Sequence, residues 1–473
     1  MIFSSSIFLL IFLPIFLLVY VLTPKRFKNY IILIASVLFY SWGAPKFIFV
    51  ILGSTIIDYF LVNQLYKSTY QKSKRVLLAT SITLNLGLLL YFKYANFFID
   101  NLNGALSTFG FENIAWTSIA LPIGISFYTF QTLTYSIDVY RGLHKPLDRL
   151  TDYLLYILSF PQMIAGPIVR FTSIADQIEN RKDIIDDKLI GFYRFCIGLA
   201  KKVLIANLMA QQADAIFNSD YSELTSSMAW IGMIAYTFQI YFDFSGYSDM
   251  AIGLGRMMGF KFPENFDSPY VSKSISEFWR RWHITLGDFM RNYLYIPLGG
   301  NRVETKSRLY FNLWFVFLLS GLWHGASWNY VLWGAFHGFF LILERLFLKN
   351  VLLKMGTLLS TVLTFIIVML GWVVFRIEET EMILPYLSKV FSFDAISNFT
   401  TVTSFWFILV IALFFSFFNA FSFGKKTENF IFRKDDYSII EHLVLAVISI
   451  VFFWLSLSFI TSSGFNPFIY FRF

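Results

Sequence analysis

Five histidines, His144, His283, His324, His337 and His442, carry the side chain best suited to exchange a proton near neutral pH. Two stand apart by their surroundings. His324 lies in Ser320-Gly-Leu-Trp-His-Gly-Ala326, at or near the end of an apolar stretch. An ionisable group inside a membrane is a functional candidate by default, although a membrane histidine can also serve only to hydrogen-bond neighbouring helices. The flanking glycines permit close helix approach or a backbone bend. His283 lies in Trp279-Arg-Arg-Trp-His-Ile-Thr-Leu286, where apolar and basic residues alternate in a roughly helical pattern. His144 in a basic loop, His337 beside Trp333 and Phe340, and His442 at the start of the last apolar stretch read as structural or solvated.

Other chemistries fail their context. There is no His-Glu-x-x-His pair or Cys/His cluster, and His283 and His324 are too few ligands, so no metal site is expected. Gly253-Leu-Gly255 resembles the start of a dinucleotide fingerprint, but it follows no strand and the third glycine is displaced to Gly259. No Gly-x-Ser-x-Gly elbow occurs. Cys196 is the single cysteine and reads as a small buried apolar residue. Asp243 and Asp249, in Tyr241-Phe-Asp-Phe-Ser-Gly-Tyr-Ser-Asp249, either orient a histidine or play a structural part, and the structural part is preferred.

The elements that position these residues are membrane helices. Of 473 residues, 57% are hydrophobic and 14% charged, against about a quarter charged in soluble domains. Ile7 to Leu22, Val76 to Phe92, Leu358 to Phe375, Phe405 to Phe418 and Leu443 to Ile460 are nearly charge-free. Most approach the ~20 residues that cross a bilayer as a helix. No basic n-region precedes the first stretch and no cleavage site follows it, so it reads as a span and not a removed signal. The formal charge of +8 does not point to nucleic acid, because the basic residues fall in short loops between spans. With both termini outside, seven cytoplasmic loops hold 30 of the 38 Lys and Arg. Arg194, Lys201 and Lys202 remain within or at the edge of a predicted span.

The expected fold is therefore an all-α, multi-pass integral membrane protein of about 12 transmembrane helices. It forms a single membrane-embedded domain over residues 1–473, with its catalytic motifs at about 121–345. The stretch Tyr153 to Ile168 joins two loops that both count as cytoplasmic. It is broken by Ser-Phe-Pro-Gln-Met-Ile-Ala-Gly-Pro, so it is expected to be re-entrant beside an internal cavity. Ser274-Ile-Ser-Glu277 has the capping-box form and opens an expected amphipathic helix at the inner face, through Trp282 and Phe289.

Several segments carry a resemblance: Leu121-Pro-Ile-Gly-Ile-Ser-Phe-Tyr-Thr-Phe130, Tyr241 to Gly255, Glu277-Phe-Trp-Arg-Arg-Trp-His283, Tyr295-Ile-Pro-Leu-Gly-Gly-Asn-Arg302 and Gly321-Leu-Trp-His-Gly325. In order and spacing they resemble the membrane-bound O-acyltransferases, in the branch that acetylates alginate or peptidoglycan. The resemblance implies an acetyltransferase of a bacterial cytoplasmic (inner) membrane, with a tunnel or funnel and His324 as essential residue. The resemblance implies His283 as its companion. It implies acetyl-CoA or a related thioester as co-substrate with no bound cofactor, and a polysaccharide acceptor outside. A separate extracytoplasmic SGNH hydrolase-like protein is the implied partner. D-alanyl transfer to teichoic acid is the nearest rival enzyme. A transporter or flippase would also have many spans and buried polar groups, but would show paired inverted repeats, which are not seen. A lipid acyltransferase stays open.

The C-terminal Gly464-Phe-Asn-Pro-Phe-Ile-Tyr-Phe-Arg-Phe473 reads in two ways. It is either an interfacial aromatic anchor or a chemical element. Phe468-Ile-Tyr-Phe-Arg-Phe473 resembles the C-terminal motif of a small protein that works beside the teichoic acid D-alanyltransferase. By that resemblance Tyr470 would carry the acyl group.

Overall fold

The computed structural model describes residues 1–392 and 401–469. Among the described residues the chain is all-helical, without a sheet. It divides into two compact units, one of Met1–Ile184 with Met258–Pro263, the other of Ile185–Met257 with Glu264–Phe473.

Among the described residues four helices are long and apolar enough to cross a membrane: Ile48–Lys67, Gln71–Thr108, Trp328–Arg376 and Ile439–Ser463. A fifth is added if the pair Phe405–Ala420 and Ser422–Arg433, bent by 95°, counts as one span. The two longest, of 38 and 49 residues, exceed the ~20 residues of one crossing. The second turns at Gly356, whose φ of 77° is outside the helical range.

In the first unit the helix breaks predicted by proline and glycine occur. Leu150–Leu158 stops at Ser159, Phe160–Met163 makes one further turn, and an irregular buried stretch follows. The freed backbone groups are met by side chains: Ser36 accepts the Phe160 N–H at 3.1 Å, and Tyr156 donates to the Val169 carbonyl at 2.9 Å. A carbonyl oxygen, that of Pro161, would stand 2.6 Å from a Cβ placed on Gly166, so a side chain there has no room. Nearby, the buried Asp58 accepts hydrogen bonds from Tyr153, Ser81, Asn85 and Ser136. Neutral donors satisfy that carboxylate.

The second unit is built on a close crossing of Ile185–Ala200 with Ser226–Met257. Gly191 lies against Gly253, and Gly198 against Gly246, each pair with no space for a Cβ. Small residues let membrane helices approach this way. Gly253 thus serves packing, which accounts for the fragmentary fingerprint. Around this crossing gathers an aromatic core that includes Tyr241, Phe278, Trp282, Trp333, Trp372 and Phe375. Cys196 is fully buried.

The expected amphipathic helix at the inner face is interrupted. Ile275–Arg281 is helical, Trp282 is extended, His283 is left-handed, and Ile284–Phe289 starts a second helix. The cause is non-local pairing: Asp267 donates to the Arg281 carbonyl, Ile284 to the Asn265 carbonyl, and Phe266 bridges Trp282. Phe278 and Trp282 are buried in the protein core and do not lie on a lipid-facing surface. The capping box is half formed. Ser274 accepts the Glu277 N–H at 3.2 Å, while the Glu277 carboxylate reaches the N–H of Lys273.

Candidate active site

Helix Lys306–His324 ends on the first of the two candidate histidines. Its last turns lie against Trp328–Leu343 because glycines remove the obstacle. A Cβ on Gly321 would collide with the Tyr330 carbonyl, and one on Gly325 with the Tyr330 ring. Gly325 continues in extended conformation (φ −163°, ψ 154°) and releases the chain from the helix. His324 is thereby set among rings. Trp333 and Phe375 meet it edge to face at 5.1 and 5.2 Å, and Trp323 stands 5.0 Å away.

His283 occupies the junction between the two short helices, with φ 46° and ψ 53°. Such a backbone costs a non-glycine residue about 1–3 kcal/mol and persists only where its surroundings fix it. Asn265 does so. Its side-chain oxygen accepts from His283 Nδ1 at 3.0 Å and from the Thr285 hydroxyl at 2.9 Å. Phe244 closes the ring edge to face at 4.7 Å. Burial pushes the His283 imidazole down to about 3, so it is neutral at physiological pH. Its Nε2 has no hydrogen-bond partner among the described residues.

The two histidines share a neighbour. Trp323 lies 5.8 Å from His283 and 5.0 Å from His324, between centroids. A cavity of about 690 Å³ is walled by Phe407, Phe415 and Phe452 and bordered by Asn265, Phe266 and Ser245. Arg194, Lys201, Asp249 and Glu264 give it a charged side. It reaches the residue that holds His283, whereas His324 is not among its lining residues.

The other histidines divide by environment. His337 is fully buried between Trp279 and Trp333, at 4.9 and 5.0 Å, and neither ring nitrogen has a hydrogen-bond partner among the described residues. His144 faces the Lys145 carbonyl at 2.8 Å, and His442 the Tyr193 hydroxyl at 3.2 Å.

Asp243 and Asp249 each face a cation. Asp249 pairs with Arg194 at 2.9 Å and Lys201 at 2.7 Å, and Asp243 with Lys202 at 2.9 Å. These are the three basic residues that the loop count left inside predicted spans. Tyr470 lies outside the described residues. The two residues just before it are buried: Phe468 and Ile469 are 5% and 3% exposed, after an exposed Gly464 and half-buried residues 465–467. Asn265 is a neighbour of His283 that no motif in the sequence marks.

Residues 82–377 match the model of the membrane-bound O-acyltransferase family. The chain is 45% identical over 394 residues to the probable alginate O-acetylase of Pseudomonas aeruginosa, covering 83% of this chain and 75% of that one. It is 35% identical over 432 residues to a peptidoglycan O-acetyltransferase of Helicobacter pylori, with 84% and 81% covered. A teichoic acid D-alanyltransferase of Bacillus subtilis is 32% identical over 284 residues, with 54% and 68% covered. His283 and His324 fall inside the family match and Tyr470 beyond it.

Proposed function

The chain belongs to the membrane-bound O-acyltransferase family, and from that premise we propose that this multi-pass membrane enzyme moves acetyl groups from a cytoplasmic thioester to an extracytoplasmic polysaccharide. His324 takes the proton of the attacking hydroxyl. The hydroxyl oxygen then bonds to the acetyl carbonyl carbon, and the thiolate leaves and is reprotonated. General base catalysis of this kind contributes about 10²- to 10⁴-fold. The observation that carries the proposal is His324 itself, at a helix end among Trp323, Trp333 and Phe375, inside the family-matched residues.

The same reading takes acetyl-CoA or a related thioester as donor and a secreted hydrolase-like SGNH protein as partner. It places the enzyme in the bacterial cytoplasmic membrane as one domain over 1–473 with about 12 crossings. Long helices such as Ser226–Met257 cross without being apolar throughout, since nearly all their polar residues face protein. Alginate or peptidoglycan is favoured over teichoic acid because the acetylating relatives align over more of the chain at higher identity. In this reading the first attacking hydroxyl is that of Tyr470, which becomes an acetyl ester; a second hydroxyl then attacks that ester carbonyl, gives up its proton and takes the acetyl group, while the Tyr470 phenolate leaves and is reprotonated. Support comes from the burial of Phe468 and Ile469, which an interfacial anchor would not need.

Mass spectrometry of surface polysaccharides with and without the gene tests the function. Loss of ester-linked acetate, restored by the wild-type chain, is expected; unchanged acetate would refute it. Tyr470→Phe keeps the ring and removes the hydroxyl. Acetylation should fall sharply if that hydroxyl is the carrier, and stay near wild type if Tyr470 is only an anchor.

A further inference from the structure

Buried chain outside secondary structure must find partners for its backbone N–H and C=O groups. Residues 464–468 follow the helix Ile439–Ser463 without continuing it, passing from an exposed Gly464 through half-buried residues to a buried Phe468. Their partners come from one buried polar set. Lys202 has three donors. It faces Asp243 at 2.9 Å, Asn207 at 2.8 Å and the Pro467 carbonyl. The other oxygen of Asp243 accepts the Ile469 N–H at 2.9 Å. Asn207 donates to the Phe465 carbonyl at 3.4 Å and the Asn466 side chain at 3.3 Å. Tyr247 stacks on Phe468 at 4.6 Å.

A fully buried ion pair is no better for stability than a well-packed apolar pair, so its retention calls for another reason. Both side chains here are 2% exposed. Each also holds one tail backbone group, Lys202 the Pro467 carbonyl and Asp243 the Ile469 N–H. Lys202 also stands in a π-helical turn, Lys201–Ala206, and such turns recur at functional sites.

We propose that Lys202, Asp243 and Asn207 form a clamp that docks the C-terminal segment and positions it for acyl transfer. The second half of this proposal rests on Tyr470 as the acyl carrier; the docking itself does not. All three are positioning residues. They hold the backbone that delivers the carrier and take no part in bond making.

The test uses the full-length chain in lipid nanodiscs, with hydrogen exchange read by mass spectrometry and polysaccharide acetylation read in cells. Lys202→Met with Asp243→Leu replaces the pair by apolar residues of similar size. Exchange of residues 464–469 should rise about tenfold or more, while peptides from 185–200 and 226–257 stay protected. Acetylation should fall about tenfold with it. Lys202→Gln with Asp243→Asn is the conservative rescue, because its amides can still donate to Pro467 and accept from Ile469. It should restore both readouts to within about threefold of wild type, since hydrogen bonds and not charge hold the tail.

An unchanged tail in the apolar double variant overturns the clamp. So does a released tail with full acetylation in a chain that loses acetylation on Tyr470→Phe. If Tyr470→Phe acetylates normally, the carrier role falls alone, and the exchange experiment still decides whether the three residues dock the tail.

Discussion

His283 and His324 stand on either side of one indole, Trp323, and are held by opposite means. His283 is 1% exposed, hydrogen-bonded through Nδ1 to Asn265, and fixed in a left-handed backbone. His324 is 7% exposed and flanked by rings, at the place where a helix ends and extended chain begins. A group that must meet substrate and exchange a proton needs access and freedom to change partners. A group that shapes a wall needs neither. The contrast fits the proton transfer proposed for His324 and leaves His283 as the residue that fixes the chain between Asn265 and Trp323.

The largest effect expected is at Gly321, which lets the His324 helix touch its neighbour. Gly321→Ala places a methyl against a backbone carbonyl that cannot rotate away. Destabilisation of more than about 4 kcal/mol is expected, read as loss of folded protein in thermal melts of the detergent-solubilised chain. A variant that melts like wild type would show that the two helices can separate without cost.

Asn265→Ala comes next, because it strips the acceptor from His283 and Thr285 together. A loss of about 1–3 kcal/mol is expected for the buried His283 donor losing its acceptor. Denaturant melts should show it, with acetylation reduced less than by any change at His324. Abolished acetylation at normal stability would contradict the division of roles.

The smallest effect is a pH slope. The folded His283 titrates at about 3, against ~6.5 in unfolded chain. Between these values the unfolded chain binds a proton that the folded protein refuses. Stability therefore falls as pH drops through this window, by roughly 1 kcal/mol between pH 6.5 and 5.5. His283→Gln should flatten that slope. A variant that keeps it would place the titration elsewhere.

What was legible in the sequence was local. Ser274 and Glu277 marked a helix start, the run from Ser159 to Pro167 marked a break, and Trp-His-Gly marked the end of the His324 helix. The interruption at His283 was hidden because Asn265, 18 residues earlier, pulls the chain out of helix. The helical alternation of Trp282 and Arg281 persists through it. Lys202 and Asp243 are 41 residues apart and meet only through the helix crossing, so each looked alone. The burial of Phe468 and Ile469 was equally invisible, since aromatic residues at a terminus suit a headgroup layer as well as a protein core. Ser226–Met257 likewise turns nearly all its polar residues against protein, a burial that no hydropathy pattern in the sequence marks.

Catalysis by His324 is tested most directly by measuring acetyl transfer in cells carrying His324→Ala at matched membrane levels, with His283→Gln in parallel. Polysaccharide acetylation should drop by about 10²- to 10⁴-fold in His324→Ala and be partly kept in His283→Gln. Substantial acetylation by the His324→Ala chain, or complete loss confined to His283→Gln, would contradict the assignment.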